Sequence, residues 1–485
     1  MRPFQPRSQG VVMSREISLK RAADYAESGA LIRDLAKLVA CPSVSQSEGL
    51  PESLEAYLRN DIGPLFEHYG FVTDIYKNPL PGGAPFLLGS HVEDEALPTV
   101  LMYGHGDVCN GEEHRWRDGL HPFELVEEGD RLYGRGTADN KIQHLINIVA
   151  LGLLLRANGK LGFNVKFLLE MGEEKGSFGL REFVMANRDK LGADVFIGSD
   201  GPRLSPGTPT VFLGSRGTLE FEMVVPLRDR DYHSGNFGGL LADPAIILAH
   251  AIASITNARG RIRIPEWLPN SLTEDIRTAL ADLPPPLNDP HWGEPSLTPS
   301  ERVFGWNSFS VLAMSSGSIG APQSAISGVA RAVGQLRFVV GTDMQDILPA
   351  LRRHLDAHDF EMIEVSQIDE AFKATRLSPS HPWVRFVCNS IEKTVDKRPH
   401  VLPNLGGSLP NDLFADVLGL PTIWIPHSYA ESGQHGPDEH ALLSIACEAM
   451  KIMTGISLDI AEHATCAESG ERLEWRPRYR DVGCS

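Results

Sequence analysis

The chain has 485 residues, 42% hydrophobic and 22% charged, the make-up of a folded globular protein of about two to four domains rather than a disordered one. With 45 basic against 63 acidic residues the formal net charge is −18, so the basic footprint of a nucleic-acid or anionic-membrane binder is missing. The six cysteines are scattered and none forms a C-x-x-C pair, which fits a reduced, cytoplasmic setting rather than a disulfide framework.

Residues 1–12 read as an extension ahead of a second candidate start, Met13, and carry no apolar leader core. Residues 16–40 have apolar positions at helical spacing and are followed by Pro42, which predicts one N-terminal helix. The run TVLMYG (99–104) predicts a buried strand, residues 141–156 a helix, and NVKFLLEM (164–171) a second strand. A helix at 179–190 and a strand at 193–199 follow. The longest apolar run, residues 145–155, falls well short of the ~20 residues that cross a bilayer. This alternation predicts an α/β fold, a mostly parallel sheet with helices on both faces.

After Gly214 the pattern changes. Residues 218–225 and 335–340 alternate apolar and polar, as one-sided antiparallel strands do. Helices at 243–256 and 344–358 and a proline-rich stretch at 264–299 complete this segment, and the βα pattern resumes near residue 376. The expected organisation is a discontinuous catalytic domain (14–214 and 376–485) carrying an inserted α+β domain (215–375).

The chemistry gathers just after the predicted strands of the first domain. His105 and Asp107 stand in GHGDV, Asp139 in GRGTADNK, Glu173 and Glu174 in GEEKGS, Asp200 in SDG and His435 in SGQHGPDEH. Ligand sites in open α/β sheets form at the carboxyl ends of strands, and burying this many carboxylates together is costly unless cations neutralise them. Imidazole and carboxylate donors suit catalytic zinc, and the set is large enough for two ions sharing one carboxylate. The H-x-D spacing lets Asp107 orient His105. In the adjacent pair Glu173–Glu174 one carboxylate can ligate while the other serves as general base. Taken singly, each has a plainer reading: a solvated loop pair, a charge run, a helix N-cap or a loop histidine.

In this order, together with LYGRGTADNK, the motifs resemble the zinc metallopeptidase family of carnosine dipeptidases, glutamate carboxypeptidase, aminoacylase and acetylornithine deacetylase, over about residues 25–455. The resemblance implies that His105 and Asp200 bind one zinc, Glu174 and His435 the other, and Asp139 bridges them. Mn2+ or Co2+ are the substitutes it allows. It implies Glu173 as general base and acid, Asp107 as the group that orients His105, and a cis peptide after Asp139. In the inserted domain, His233 in YHSGNFGG resembles a histidine that reaches the partner subunit's site in a homodimer and steadies the oxyanion. Arg337 aligns with a substrate-carboxylate arginine, and Ser324 and Ser408 fall at substrate-contact positions. Two departures stand out: Asn140 replaces the usual second aspartate, and Cys109 follows Asp107-Val108. Cys109 reads as an extra ligand, an oxidation-sensitive group or part of the site wall, the wall being preferred. The expected activity is hydrolysis of an amide bond in a small carboxylate-bearing substrate, a dipeptide or N-acyl amino acid. The alternatives are cleavage of a carbamoyl or aromatic-amine C–N bond, and a non-catalytic binding protein.

Overall fold

The computed structural model describes residues 14–466 apart from 282, 285, 286 and 369. The N-terminal extension and Met13 lie outside the described residues. Two units separate: Met1–Val211, Ser380–His400 and Leu413–Ser485 form one, and Phe212–Pro379 with Val401–Asp412 the other.

In the first unit, residues 16–40 form two helices, Arg15–Glu27 and Ala30–Ala40, instead of the single one expected. Gly29 between them adopts φ 73°, a left-handed conformation that ends one helix and starts the next. The main sheet has eight strands. Its centre is parallel: Thr99–His105 pairs with Asn164–Glu170 and with Val195–Gly198, which pairs with Thr422–Trp424. At one edge Phe86–His91 runs antiparallel to both Asn164–Glu170 and Val72–Tyr76, so the sheet as a whole is mixed. The central strands are buried along nearly their whole length, as strands covered on both faces must be.

The 18-residue helix Lys141–Asn158 is buried for most of its length and ends at Gly159, whose φ is 72°. Helices Arg15–Glu27 and Leu443–Cys466 pack with it. Its first residue follows Asn140, so Asp139 lies beside the positive end of a buried helix.

The second unit is built on a four-stranded antiparallel sheet in the order Ser308–Ser315, Val329–Phe338, Gly217–Pro226, Glu364–Gln367. Along Gly217–Pro226 the alternation puts Leu219, Phe221, Met223 and Val225 into a core with Trp267, Leu336 and Leu351. The helices Pro244–Ile255 and Ile347–Asp356 supply Leu248 and Leu355 to the same core. Val401–Asp412, expected with the catalytic domain, groups with this unit. It is tied there: the carbonyl of Gly406 accepts from Arg216 Nε at 2.7 Å, and Arg376 Nη2 donates to the Asn404 side-chain oxygen at 2.9 Å.

Candidate metal centre

Three strands of the first unit deliver the polar groups. Thr99–His105 ends on His105, Asn164–Glu170 leads into the single turn Glu173–Lys175, and Val195–Gly198 leads to Asp200. The glycines flanking His105 are demanded by close approach. A Cβ on Gly104 would lie 2.7 Å from His144, and one on Gly106 2.4 Å from Tyr57. The peptide bond between Asp139 and Asn140 is cis.

The side chains converge as two groups of candidate ligands. His105, Asp139 and Asp200 form one, and Cys109, Glu174 and His435 the other, the donor atoms within each lying no more than 4.8 Å apart. His105 Nε2 stands 3.0 Å from Asp139 Oδ1 and 3.6 Å from Asp200 Oδ2. His435 Nε2 stands 3.3 Å from the other Asp139 oxygen, Oδ2, and 3.2 Å from Glu174 Oε2. The Asp139 carboxylate therefore faces both groups, one oxygen to each.

His105 Nδ1 lies 3.1 Å from the carbonyl of Asp107 and 3.4 Å from its carboxylate. A carbonyl only accepts, so Nδ1 carries a proton, and Nε2 is the ring nitrogen that faces Asp139 and Asp200. The sequence argument put the Asp107 carboxylate in this role, and the main-chain oxygen is the nearer acceptor. That carboxylate is engaged elsewhere: Ser45 Oγ donates to it at 2.6 Å, and the N–H groups of Glu173 and Glu174 at 3.2 and 3.1 Å. Asp107 thereby holds the turn bearing Glu173 and Glu174.

The centre is short of positive charge. Burial pushes Glu173 well above the carboxylate range. Burial and then the charge of Asp139 take Glu174 to about 8 and Asp200 to about 6. Burial also raises Asp139, but hydrogen bonds from His105 and His435 outweigh it and hold that carboxyl below its usual value. Burial disfavours a charged His105, yet its contacts to Asp107 and Asp139 raise it well above normal. The hydrogen bond to Asp139 lifts His435 to about 9 against its burial. Asp200 Oδ2 is buried with no hydrogen-bond partner. An unpartnered buried carboxylate oxygen beside an imidazole nitrogen and a second carboxylate is the geometry that a cation completes, so these residues fit a divalent metal.

The residues expected to bind substrate lie in the second unit. His233 is exposed and pairs with Ala325 across a two-residue bridge, and the Ser324 carbonyl accepts from the N–H of Ser234 at 2.9 Å. The Nδ1 of His233 accepts from the Gly235 N–H at 3.1 Å, which places the ring proton on Nε2. Arg337 donates through Nη1 to Ser408 Oγ at 3.0 Å and through Nε to Gln335 at 3.0 Å. His233 and Ser324 are thus neighbours, as are Arg337 and Ser408.

Glu439 was not singled out from the sequence, although it stands inside the quoted motif SGQHGPDEH. It is fully buried. It accepts from Arg135 Nη1 at 2.8 Å and from the N–H groups of Gly136, Ala138 and Asp139 at 3.0, 2.9 and 3.0 Å. One carboxylate thus shapes the loop that carries Asp139. An acidic residue four positions after a histidine gave no cue to this, because its partners lie about 300 residues earlier in the chain. Gln434, which donates to Asp139 Oδ2 at 3.2 Å, and Ser45, whose partner Asp107 lies 62 residues later, were missed because their partners too are distant in sequence.

Residues 101–459 match the family described as "Peptidase family M20/M25/M40", and the chain belongs to it. A stretch of 191 residues is 38% identical to "Beta-Ala-His dipeptidase" of Mus musculus and covers 39% of this chain and 38% of that one, so the match spans well under half of that relative. Over 467 residues the chain is 26% identical to "Cys-Gly metallodipeptidase DUG1" of Candida albicans, covering 87% and 93% of the two. Among solved structures, an M20 family metallo-carboxypeptidase from Sulfolobus solfataricus superposes with a TM-score of 0.78 at 25% identity, covering 89% of this chain and 99% of that one. Membership in this family implies a divalent metal, and no helix among the described residues is long and apolar enough to cross a membrane.

Proposed function

We propose that this chain is a di-zinc hydrolase that cleaves the amide bond of dipeptides or N-acyl amino acids. The observation that carries the reading is the Asp139 carboxylate, one oxygen facing His105 and the other facing His435. His105 and Asp200 would hold one cation, Glu174 and His435 the other, with Asp139 between them. When bound, such cations polarise a carbonyl and lower the pKa of water toward ~7. Glu173 takes the proton of the attacking water and returns it to the leaving amine. Asp107 fixes the turn on which Glu173 rides and the main chain beside His105. His233 offers its Nε2–H to the developing oxyanion. Arg337, set by Ser408 and Gln335, takes the substrate carboxylate, and Ser324 lines the approach beside His233.

The dipeptidase names of the relatives support the substrate class. A homodimer is part of the same reading. The edge strand Ser308–Ser315 exposes Val311, Leu312 and Met314 by 41, 50 and 48%, and the helix Pro244–Ile255 exposes Ile246 by 59%. An apolar edge of this kind favours a second copy, whose His233 would serve the partner's site. Cys41, Cys109, Cys388 and Cys447 are free thiols, which supports the cytoplasm as the compartment.

The test is metal content together with a panel of dipeptides, N-acyl amino acids and carbamoylated amino acids, assayed with and without chelator. About two zincs per chain and chelator-sensitive release of amino acid are expected. Ammonia release in place of peptide cleavage, or activity indifferent to chelator, would overturn the reading.

A further inference from the structure

The two candidate groups are not alike. His105, Asp139 and Asp200 offer one nitrogen and two carboxylates, all hard or borderline donors. The other group contains a sulfur. Cys109 is 5% exposed. Its Sγ lies 2.8 Å from Glu174 Oε2, the same oxygen that His435 Nε2 approaches at 3.2 Å. Gln46 Nε2 donates to the sulfur at 3.5 Å and also to the Glu174 carbonyl at 3.0 Å. One amide thus steadies the thiol and the backbone of the adjacent carboxylate together. A wall residue needs none of this: it requires burial, but not a sulfur aimed at a candidate ligand oxygen within a three-donor cluster.

We propose that Cys109 is a further protein ligand, beside the shared Asp139, of the cation held by Glu174 and His435, which makes the centre asymmetric, one position hard and the other soft. The inference rests on the metal-centre reading above. On binding, an S–metal bond forms, the S–H bond breaks and the thiol proton leaves to solvent. A Cys/His/Glu set is a competent zinc site, and thiolate favours zinc, cadmium and cobalt over manganese or magnesium. The soft position should therefore discriminate among metals while the hard position accepts a wider range.

The experiment loads the metal-free full chain with Co2+ and records metal content and absorption. Two cobalts per chain with a thiolate-to-cobalt charge-transfer band in the near ultraviolet are expected, and Cys109→Ser should abolish the band. The same substitution should weaken Cd2+ binding at one of two positions by at least the ~10–100-fold that loss of a mere supporting partner costs. Two bound cobalts without the band would overturn the ligand role and leave the metal centre standing. No bound cobalt at all would overturn the metal centre, and this proposal with it. Where the serine variant fails to fold, alkylation of the unaltered chain followed by peptide mapping decides. Cys109 should be protected by bound Cd2+ and released by chelator, and labelling indifferent to chelator would sink the assignment.

Discussion

The two units place their candidate functional side chains differently. The first draws charge into its interior: His105, Asp107, Arg135, Lys141, Glu170 and Glu439 are all buried around the strand ends. The second packs an apolar core under its sheet and leaves its candidate substrate groups outward, His233 exposed and Arg337 half-buried. The difference teaches where function and stability are separable. In the first unit these buried polar groups are held by hydrogen bonds to one another or to the surrounding chain, so few changes touch chemistry alone. In the second, the exposed His233 and half-buried Arg337 should be removable without disturbing the fold.

The largest effect sharpens the first half of that contrast. Glu173→Gln removes a proton carrier while keeping a side chain of the same shape. Turnover should fall by ~10²–10⁴-fold or more with both metals retained, read from kcat beside metal analysis. Substantial residual turnover would move the base elsewhere.

Glu439→Ala is next and asks whether the first unit is as interlocked as its hydrogen bonds imply. It leaves Arg135 buried and unpaired and frees three loop N–H groups. Breaking a buried pair in this way costs about 3–5 kcal/mol. Denaturant unfolding should show that loss together with weakened metal binding, since the loop carries Asp139. A loss under about 1 kcal/mol would show that the loop holds itself.

His233→Ala tests the opposite half. As an oxyanion donor its removal should lower kcat by ~10²–10³-fold, with melting temperature and metal content unchanged because the ring is exposed. A melting temperature that falls with kcat would break the contrast between the units.

A slope rather than a step distinguishes metal-loaded from metal-free protein. Without cations, Glu174 sits at about 8 and Asp200 at about 6. A carboxyl raised in the folded state contributes stability fully present below its unfolded pKa, near 4, and lost as pH climbs through the folded value. His435, raised to about 9, acts with the same sign over its own range, because the folded state holds the proton more tightly. Thermal melts of the metal-free chain should therefore show stability falling between about pH 4 and 9, and metal loading should flatten that slope. A metal-free chain that gains stability over this range would contradict the charge deficit inferred for the centre.

How much of this the sequence disclosed follows the same division. Placement at strand ends was legible, because periodicity locates the strands and histidines and acids after several of them point to one place: His105, Asp200 and the Glu173–Glu174 pair do follow strands. The alternation of residues 218–225 disclosed the second sheet. Long-range compensation was not legible. Glu439, Ser45 and Gln46 act on groups tens to hundreds of residues away, and no local pattern marks them. The split at Gly29 escaped because apolar spacing continues across it, and only the backbone angle breaks the helix. Val401–Asp412 groups with the second unit, not with the 376–485 segment as expected, and its ties, Arg216 to the Gly406 carbonyl and Arg376 to the Asn404 side chain, leave no periodic trace.

The smallest predicted effect is also the most discriminating for the second unit. Arg337→Lys keeps the charge but replaces a planar fork by a single ammonium, losing the paired donation to Ser408 and Gln335 that now sets its direction. A hydrogen bond to a charged group contributes about 1.5–3 kcal/mol, and a lysine recovers part of it. KM should rise roughly tenfold with kcat held, the pattern of an interaction made equally in ground and transition states. Substrates lacking a free carboxylate should not register the change. If kcat falls in step with KM for carboxylate-bearing and carboxylate-free substrates alike, Arg337 acts on the reacting groups or on the fold of the sheet. The second unit would then be as interlocked as the first.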